Sequence, residues 1–262
     1  MAEIKTVVGE SFELDYFSFG TGKRTMVILP GASVVSVMLS ADAIAQAYAC
    51  FADEFTVYVF DVKKDLRPGC DIYEMADAAA QAMKILGLEN ICLFGCSLGG
   101  MMAQTVAVRY PELIERLVLG STMSRANTVS AALCDYWCAL AEAGNVRGLN
   151  RAVFGRIYSH EYYEKYKEAF IAAENTGSRE ELSRFAVMVR AFRNFDILDE
   201  LKNVKCRSLV IGTWDDHTLS GEAACETAAK LHCELYMYVG YGHAAYDEAP
   251  DYKDRLMKFF AE

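Results

Sequence analysis

Residues 91–100 read ICLFGCSLGG, and where this stretch changes character decides the fold. With Asn90, its first half is a short unbroken apolar run, as carried by a strand buried on both faces of a parallel sheet. From Leu98 the pattern changes: LGGMMAQTVAVRYP (98–111) has helical spacing and is closed by Pro111. A strand therefore turns sharply into a helix, and Cys96 and Ser97 compete for the apex. Residues two before and two after such an apex crowd one another and must do without side chains. Centred on Ser97, those positions are Gly95 and Gly99; centred on Cys96, they would be Phe94 and Leu98. Ser97 is the expected apex. Cysteine is the better intrinsic nucleophile, but Cys96 is expected to point sideways, as pocket wall or packing.

Working outward, similar β-branched runs recur at TMVILPG (25–31), FTVYVFDV (55–62), RLVLGST (116–122), SLVIGTW (208–214) and ELYMYVG (234–240). Helical patterns separate nearly all of them, for example DIYEMADAAAQAMKILG (71–87). That alternation predicts an α/β protein with a mostly parallel central sheet flanked by helices. Ahead of it, IKTVVG and FELDYFSFG read as an antiparallel hairpin at one edge. Between about 124 and 195 the rhythm breaks into helical segments without a strand: SAALCDYWCALAEAG, GLNRAVFGRIYS, EYYEKYKEAFIAAENTG and SREELSRFAVMVRAF. This is far beyond the usual length of an α/β connection. The expected organisation is core at 1–123, a helical cap or lid at 124–195, and core again at 196–262.

The 262 residues are 53% hydrophobic, with a net charge of −10 and no clustering of Lys and Arg. This composition suits one globular domain with an insertion and excludes a basic nucleic-acid footprint. No apolar run reaches the roughly 18 residues of a spanning helix, and MAEIKTVVGESFELDYFSFG lacks the pattern of a cleaved signal. Nine dispersed cysteines read as reduced thiols of a cytoplasmic protein. Cys134 and Cys138 could share a helix face, but no second ligand pair completes a zinc site, so neither metal nor cofactor is expected.

The pentapeptide GCSLG (95–99) fits G-x-S-x-G, and its strand-to-helix setting is that of a nucleophile elbow. A serine needs a base, and there are four histidines. His160 falls in the cap, His232 ends a helix, and His217 follows two aspartates as a possible pocket residue. His243, in YVGYGHAAYDEAP, follows the last strand at the carboxyl edge shared with Ser97 and is the expected base. The imidazole in turn needs an acid. Asp215 and Asp216, in GTWDDHTL, both lie past a strand end and can reach that edge. Ser…Asp…His is one of the known triad orders. The N–H of Leu98, at the helix N-terminus, is expected to supply half of an oxyanion hole.

Together GCSLGGMMAQTVAVRYPELIERLVL, FDILDELKNVKCRSLVIGTWDD and YVGYGHAAYDEAP resemble the α/β-hydrolase fold superfamily over essentially the whole chain. The likeness is strongest to small bacterial esterase-like serine hydrolases with a helical cap after the sixth strand. The resemblance implies that the acid of G-x-x-D falls on Asp215, with Asp216 as the fallback. It also implies a second oxyanion N–H in the loop after the third strand. There LPGAS (29–33) has Pro30 where the family commonly has His, so by position the amide is that of Ala32, with Ser33 as alternative. Ser97, not a carboxylate, stands at the elbow, which argues against dehalogenation. The resulting expectation is a cofactor-independent serine hydrolase acting on small apolar or aromatic esters. Alternatives on the same fold are an aminopeptidase-like amidase, a C–C hydrolase and a hydrolase-like receptor with little turnover. The cap aromatics, Tyr136, Trp137, Phe154, Tyr158, Tyr162, Tyr163, Phe185 and Phe192, are expected to divide between packing and pocket.

Overall fold

The apolar runs do form strands in the computed structural model, which describes residues 2–262; Met1, the first position of the expected core, lies outside the described residues. The first half of the chain runs β1 (Lys5–Val8), β2 (Glu13–Phe19), β3 (Arg24–Leu29), α1 (Ala41–Ala47), β4 (Phe55–Phe60), α2 (Ile72–Ile85), β5 (Ile91–Cys96), α3 (Leu98–Arg109) and β6 (Ile114–Gly120). Five helices follow without a strand: α4 (Thr128–Glu142), α5 (Val146–Ile157), α6 (His160–Lys165), α7 (Lys167–Ala173) and α8 (Arg179–Arg190). The core resumes with β7 (Arg207–Thr213), α9 (Gly221–Leu231), β8 (Glu234–Tyr238), α10 (Ala245–Glu248) and α11 (Tyr252–Ala261).

The strands make one sheet in the order β1-β2-β4-β3-β5-β6-β7-β8. β1 and β2 pair antiparallel, as the hairpin reading expected, and β3 to β8 run parallel. Alternation within each strand sends side chains to opposite faces. Val27, Leu29 and Leu93 enter the apolar layer beneath α2 and α3, whereas Met26, Ile28 and Phe94 enter the layer that contains Phe55 and Phe260. Both faces are thus covered, which is why these strands read as unbroken apolar runs.

The helical segment leaves after β6 and returns before β7 through a pinched base. Arg125 and Asp196 form an isolated antiparallel bridge. Beside it, Ala126 N–H donates to the Phe195 carbonyl and Ile197 N–H to that of Ser124, each at 2.8 Å. Capping boxes open α4 (Asn127 with Ser130) and α8 (Ser178 with Glu181), satisfying N–H groups that have no intrahelical acceptor. Trp137 and Phe185 pack between these two helices with ring centroids 5.9 Å apart. Arg184 ties α8 to the core: its Nη2 donates to Asp61 Oδ1 at 2.9 Å and to the Val62 carbonyl at 3.0 Å. Arg147 and Arg151 likewise hold a buried carboxylate, that of Glu174, within the helical segment.

Candidate active site

The elbow between β5 and α3 explains itself sterically. A Cβ on Gly95 would collide with the Gly99 carbonyl, and one on Gly99 would fall into the carbonyls of Leu29 and Pro30. Both positions are therefore closed to any side chain, as expected for an apex at Ser97. Ser97 itself holds φ 53° and ψ −121°, a backbone state costing about 1–3 kcal/mol that must be imposed by its surroundings. Those surroundings are visible: Ser97 N–H donates to the Gly120 carbonyl at 3.0 Å, and Thr122 Oγ1 donates to the Ser97 carbonyl at 2.8 Å. Cys96 is 4% exposed, with Sγ 3.9 Å from the Leu29 carbonyl. Burial, helped by the nearby Asp247 charge, pushes its thiol up to about 12. A thiol held there supplies almost no thiolate near neutrality.

His243 lies past β8, is 1% exposed, and its Nδ1 is 2.8 Å from Asp216 Oδ2. The expectation for Asp215 is corrected here. Asp215 is exposed and its Oδ2 accepts the Gly240 N–H at 2.7 Å, whereas Asp216, 6% exposed, faces His243. The reason is local. After Thr213 the chain makes a tight turn, with Asp216 N–H returning to the Thr213 carbonyl, so adjacent side chains leave it in opposite directions. Asp216 Oδ1 accepts the N–H groups of Thr218 at 2.7 Å and Leu219 at 2.9 Å. Burial acts to raise its carboxyl, but His243, the hydrogen bond to it and these two N–H groups outweigh that and hold it below the usual carboxylate range. An ionised Asp216 only accepts, so Nδ1 carries a proton, the arrangement that in the neutral ring leaves the lone pair on Nε2.

The other histidines sit apart. His160 opens α6 on the surface, His217 is exposed beside Asp215, and His232 ends α9 in a left-handed conformation at φ 49°. Leu98 occupies the first position of α3 and Ala32 lies in the loop after β3. Among the described residues, neither their N–H groups nor that of Ser33 meets an acceptor. The loop approaches the elbow closely: a Cβ on Gly31 would lie 3.1 Å from that of Ser97.

A cavity of about 480 Å³ opens between this loop, Cys96, α5 and α10. Its walls include Val34, Val153, Phe154 and Tyr158, with Tyr48, Tyr246 and Asp247 from the core. Of the cap aromatics, Phe154 and Tyr158 line it, whereas Trp137, Phe185 and Phe192 are buried in packing and Tyr136 is exposed. Residue-by-residue reading missed Asp247 and the bracing Glu248. Glu248 Oε1 accepts the Ser159 N–H at 2.9 Å and the Gly242 N–H at 3.2 Å, so it joins the His243 loop to the helical segment. The available signal was their place on the short helix directly after His243. Among the described residues, no group of three or more His, Cys, Asp or Glu could hold a metal ion, and no helix is long and apolar enough to cross a membrane.

Comparison with known proteins agrees with this architecture. The chain is 26% identical over 218 residues to a protein of Rhizobium rhizogenes named as a carbamate hydrolase, RutD, covering 79% of this chain and 83% of that one. Its fold superimposes on MGS-M2, an alpha/beta hydrolase enzyme from a deep-sea metagenome library of the Medee basin, with a TM-score of 0.87, 21% identity and 98% of both chains covered. The enol-lactonase of Burkholderia xenovorans LB400 gives a TM-score of 0.85 at 18% identity, over 98% of this chain and all of that one. The family model described as the alpha/beta hydrolase fold matches residues 25–250, and the chain belongs to that family of hydrolases.

Proposed function

We propose that the protein is a serine hydrolase that works through an acyl-enzyme on small carboxylic esters with apolar or aromatic groups. The observation that carries this reading is the buried Asp216–His243 pair, 2.8 Å apart, at the sheet edge where the elbow presents Ser97. Ser97 Oγ attacks the ester carbonyl while His243 Nε2 takes its proton, and Asp216 stabilises the positive imidazole. Negative charge gathering on the carbonyl oxygen is met by the N–H groups of Leu98 and Ala32. The tetrahedral species collapses by breaking the bond to the alcohol oxygen, which leaves with the proton from His243. Water, deprotonated by His243, then attacks the acyl-Ser97 carbonyl and releases the acid.

The cavity walls of Val34, Val153 and Phe154 suit an apolar group. A carbamate carbonyl could enter the same sequence of steps, and the relative named for carbamate hydrolysis makes carbamates the second substrate class to try. A fluorophosphonate probe should label the wild type at Ser97 and leave a folded Ser97→Ala variant unlabelled. Failure to label folded wild-type protein would overturn the reading. A panel of p-nitrophenyl esters, run beside aryl carbamates and aminoacyl amides, then ranks the bond types.

A further inference from the structure

The cavity beside the elbow holds a charge that the ester mechanism does not use. Among the described residues that line it, Asp247 alone carries a formal charge near neutrality; no Lys, Arg or Glu reaches the wall. Asp247 lines the cavity and is exposed, and its side chain has a single hydrogen bond, from Tyr158 Oη at a long 3.4 Å. The cation closest in charge terms, Lys253, is engaged elsewhere: its Nζ donates to the Tyr246 carbonyl and lies 5.4 Å from the centre of the Tyr48 ring. Among the described residues, Asp247 has no ion-pair partner.

With Tyr158 as its one long donor, this carboxylate is poorly paired on the protein side. Burial raises it to about 6, with Lys253 and the Tyr158 bond pulling the other way and Glu248 adding to the rise. It is still charged at neutral pH. The aromatic rings of Tyr48, Tyr158 and Tyr246 also line this cavity, and such rings favour a cation over their faces. An incoming ammonium would supply up to three donors to a carboxylate that has one. The net charge of −10 biases encounter toward cations as well.

We propose that Asp247 selects substrates in which the apolar part of the ester carries a protonated amine, held by the carboxylate between the tyrosines of the cavity wall. This rests on the serine hydrolase reading for the chemistry but not for the binding. Asp247 is a specificity residue: it grips a part of the substrate remote from the scissile bond.

The test has two arms. In the first, binding is read on a Ser97→Ala variant, which needs no turnover. n-Pentylammonium should raise its melting temperature and displace a bound reporter at concentrations at least about tenfold below those of n-pentanol, the ratio set by about 1.4 kcal/mol of net charge-assisted bonding. Adding Asp247→Asn should bring the two ligands together. In the second, kcat/KM is measured for p-nitrophenyl esters of ω-amino acids against their isosteric n-alkanoates, and for aminoalkyl acetates against alkyl acetates. One of the two series should favour the amine by a similar ratio, carried mainly by KM, and Asp247→Asn should remove the preference. Equal binding of the ammonium and the alcohol, or a preference that survives Asp247→Asn, overturns the proposal. Loss of fluorophosphonate labelling with ammonium selectivity intact would instead overturn the serine mechanism and leave the site standing.

Discussion

Substituting the two adjacent aspartates one at a time separates the geometry from the motif. Asp216 Oδ1 takes the Thr218 and Leu219 N–H groups and Oδ2 takes His243 Nδ1 at 2.8 Å. Asparagine in its place can keep the first pair with its carbonyl oxygen, so the loop should stay folded. It then presents an NH2 to Nδ1, which must become an acceptor, and the ring proton moves to Nε2. On the proposed mechanism, the lone pair that takes the Ser97 proton is then lost. A triad with the wrong imidazole tautomer loses about 10⁴ in kcat, equivalent to about 5 kcal/mol of transition-state stabilisation. Asp215→Asn keeps its one contact, the Gly240 N–H, through the amide oxygen, and should remain within a factor of about three of wild type. The assay is kcat/KM on a p-nitrophenyl ester, with thermal melting to show that both variants are folded. Equal losses, or a larger loss for Asp215→Asn, would refute the assignment and restore Asp215, the position implied by the family motif.

Three further outcomes follow from the same structure. Gly99→Ala should cost more than about 3 kcal/mol or abolish folding, because its Cβ would enter the Leu29 carbonyl. Gly155→Ala, in α5 with open space around it, should gain about 0.5–1 kcal/mol, and urea midpoints of opposite sign are the check. Asp247 is raised by burial from 3.8 to about 6, so the stability it contributes is complete below the unfolded value and lost as pH climbs through the folded one. Asp247→Asn should therefore be no gain at the acid end, with a gain in melting temperature that grows between pH 3.8 and about 6 and then levels off; no change in the difference across that window, or a fall, would contradict the burial argument. Arg184→Ala removes the cation from Asp61, itself 9% exposed, and should cost about 2–3 kcal/mol while speeding limited proteolysis between residues 124 and 195. Unchanged melting and cleavage would show that α8 is held by its apolar face alone.

How much of this was legible in the chain depends on the range of the interactions involved. The elbow rests on contacts within a few residues of Ser97, and the glycines that permit them stand in the sequence at fixed spacing. The burial of Met26, Val27, Ile28 and Leu29 on both faces of the sheet is equally local in its signature, which is why the strands and their parallel sheet were readable from apolar runs. The edge hairpin and the helical segment after β6 came from the same kind of signal. Asp215 against Asp216 was different: both residues occupy one loop, and a one-residue step in a tight turn reverses the direction of a side chain. Spacing motifs count residues but do not fix that direction. The turn bond from Asp216 N–H to the Thr213 carbonyl does, and nothing in GTWDDHTL announces it.

The cavity lies further still from what a sequence can display. Asp247 matters because Tyr48 from the end of α1, Tyr158 from the end of α5 and Tyr246 from α10 meet around it, positions separated by up to about two hundred residues in the chain. No local pattern encodes that meeting. The same division bears on Cys96, which touches both systems: it adjoins Ser97 at the elbow and lines the cavity. With its thiol held near 12 it has little thiolate to offer, so it reacts slowly as a nucleophile and stands in the cavity as bulk. A thiol-directed reagent that does reach it would place its adduct in the space the substrate needs. Inactivation of that kind reports the position of Cys96 in the wall, and in the competition at ICLFGCSLGG the glycines centre the elbow on Ser97 and leave Cys96 in the pocket wall.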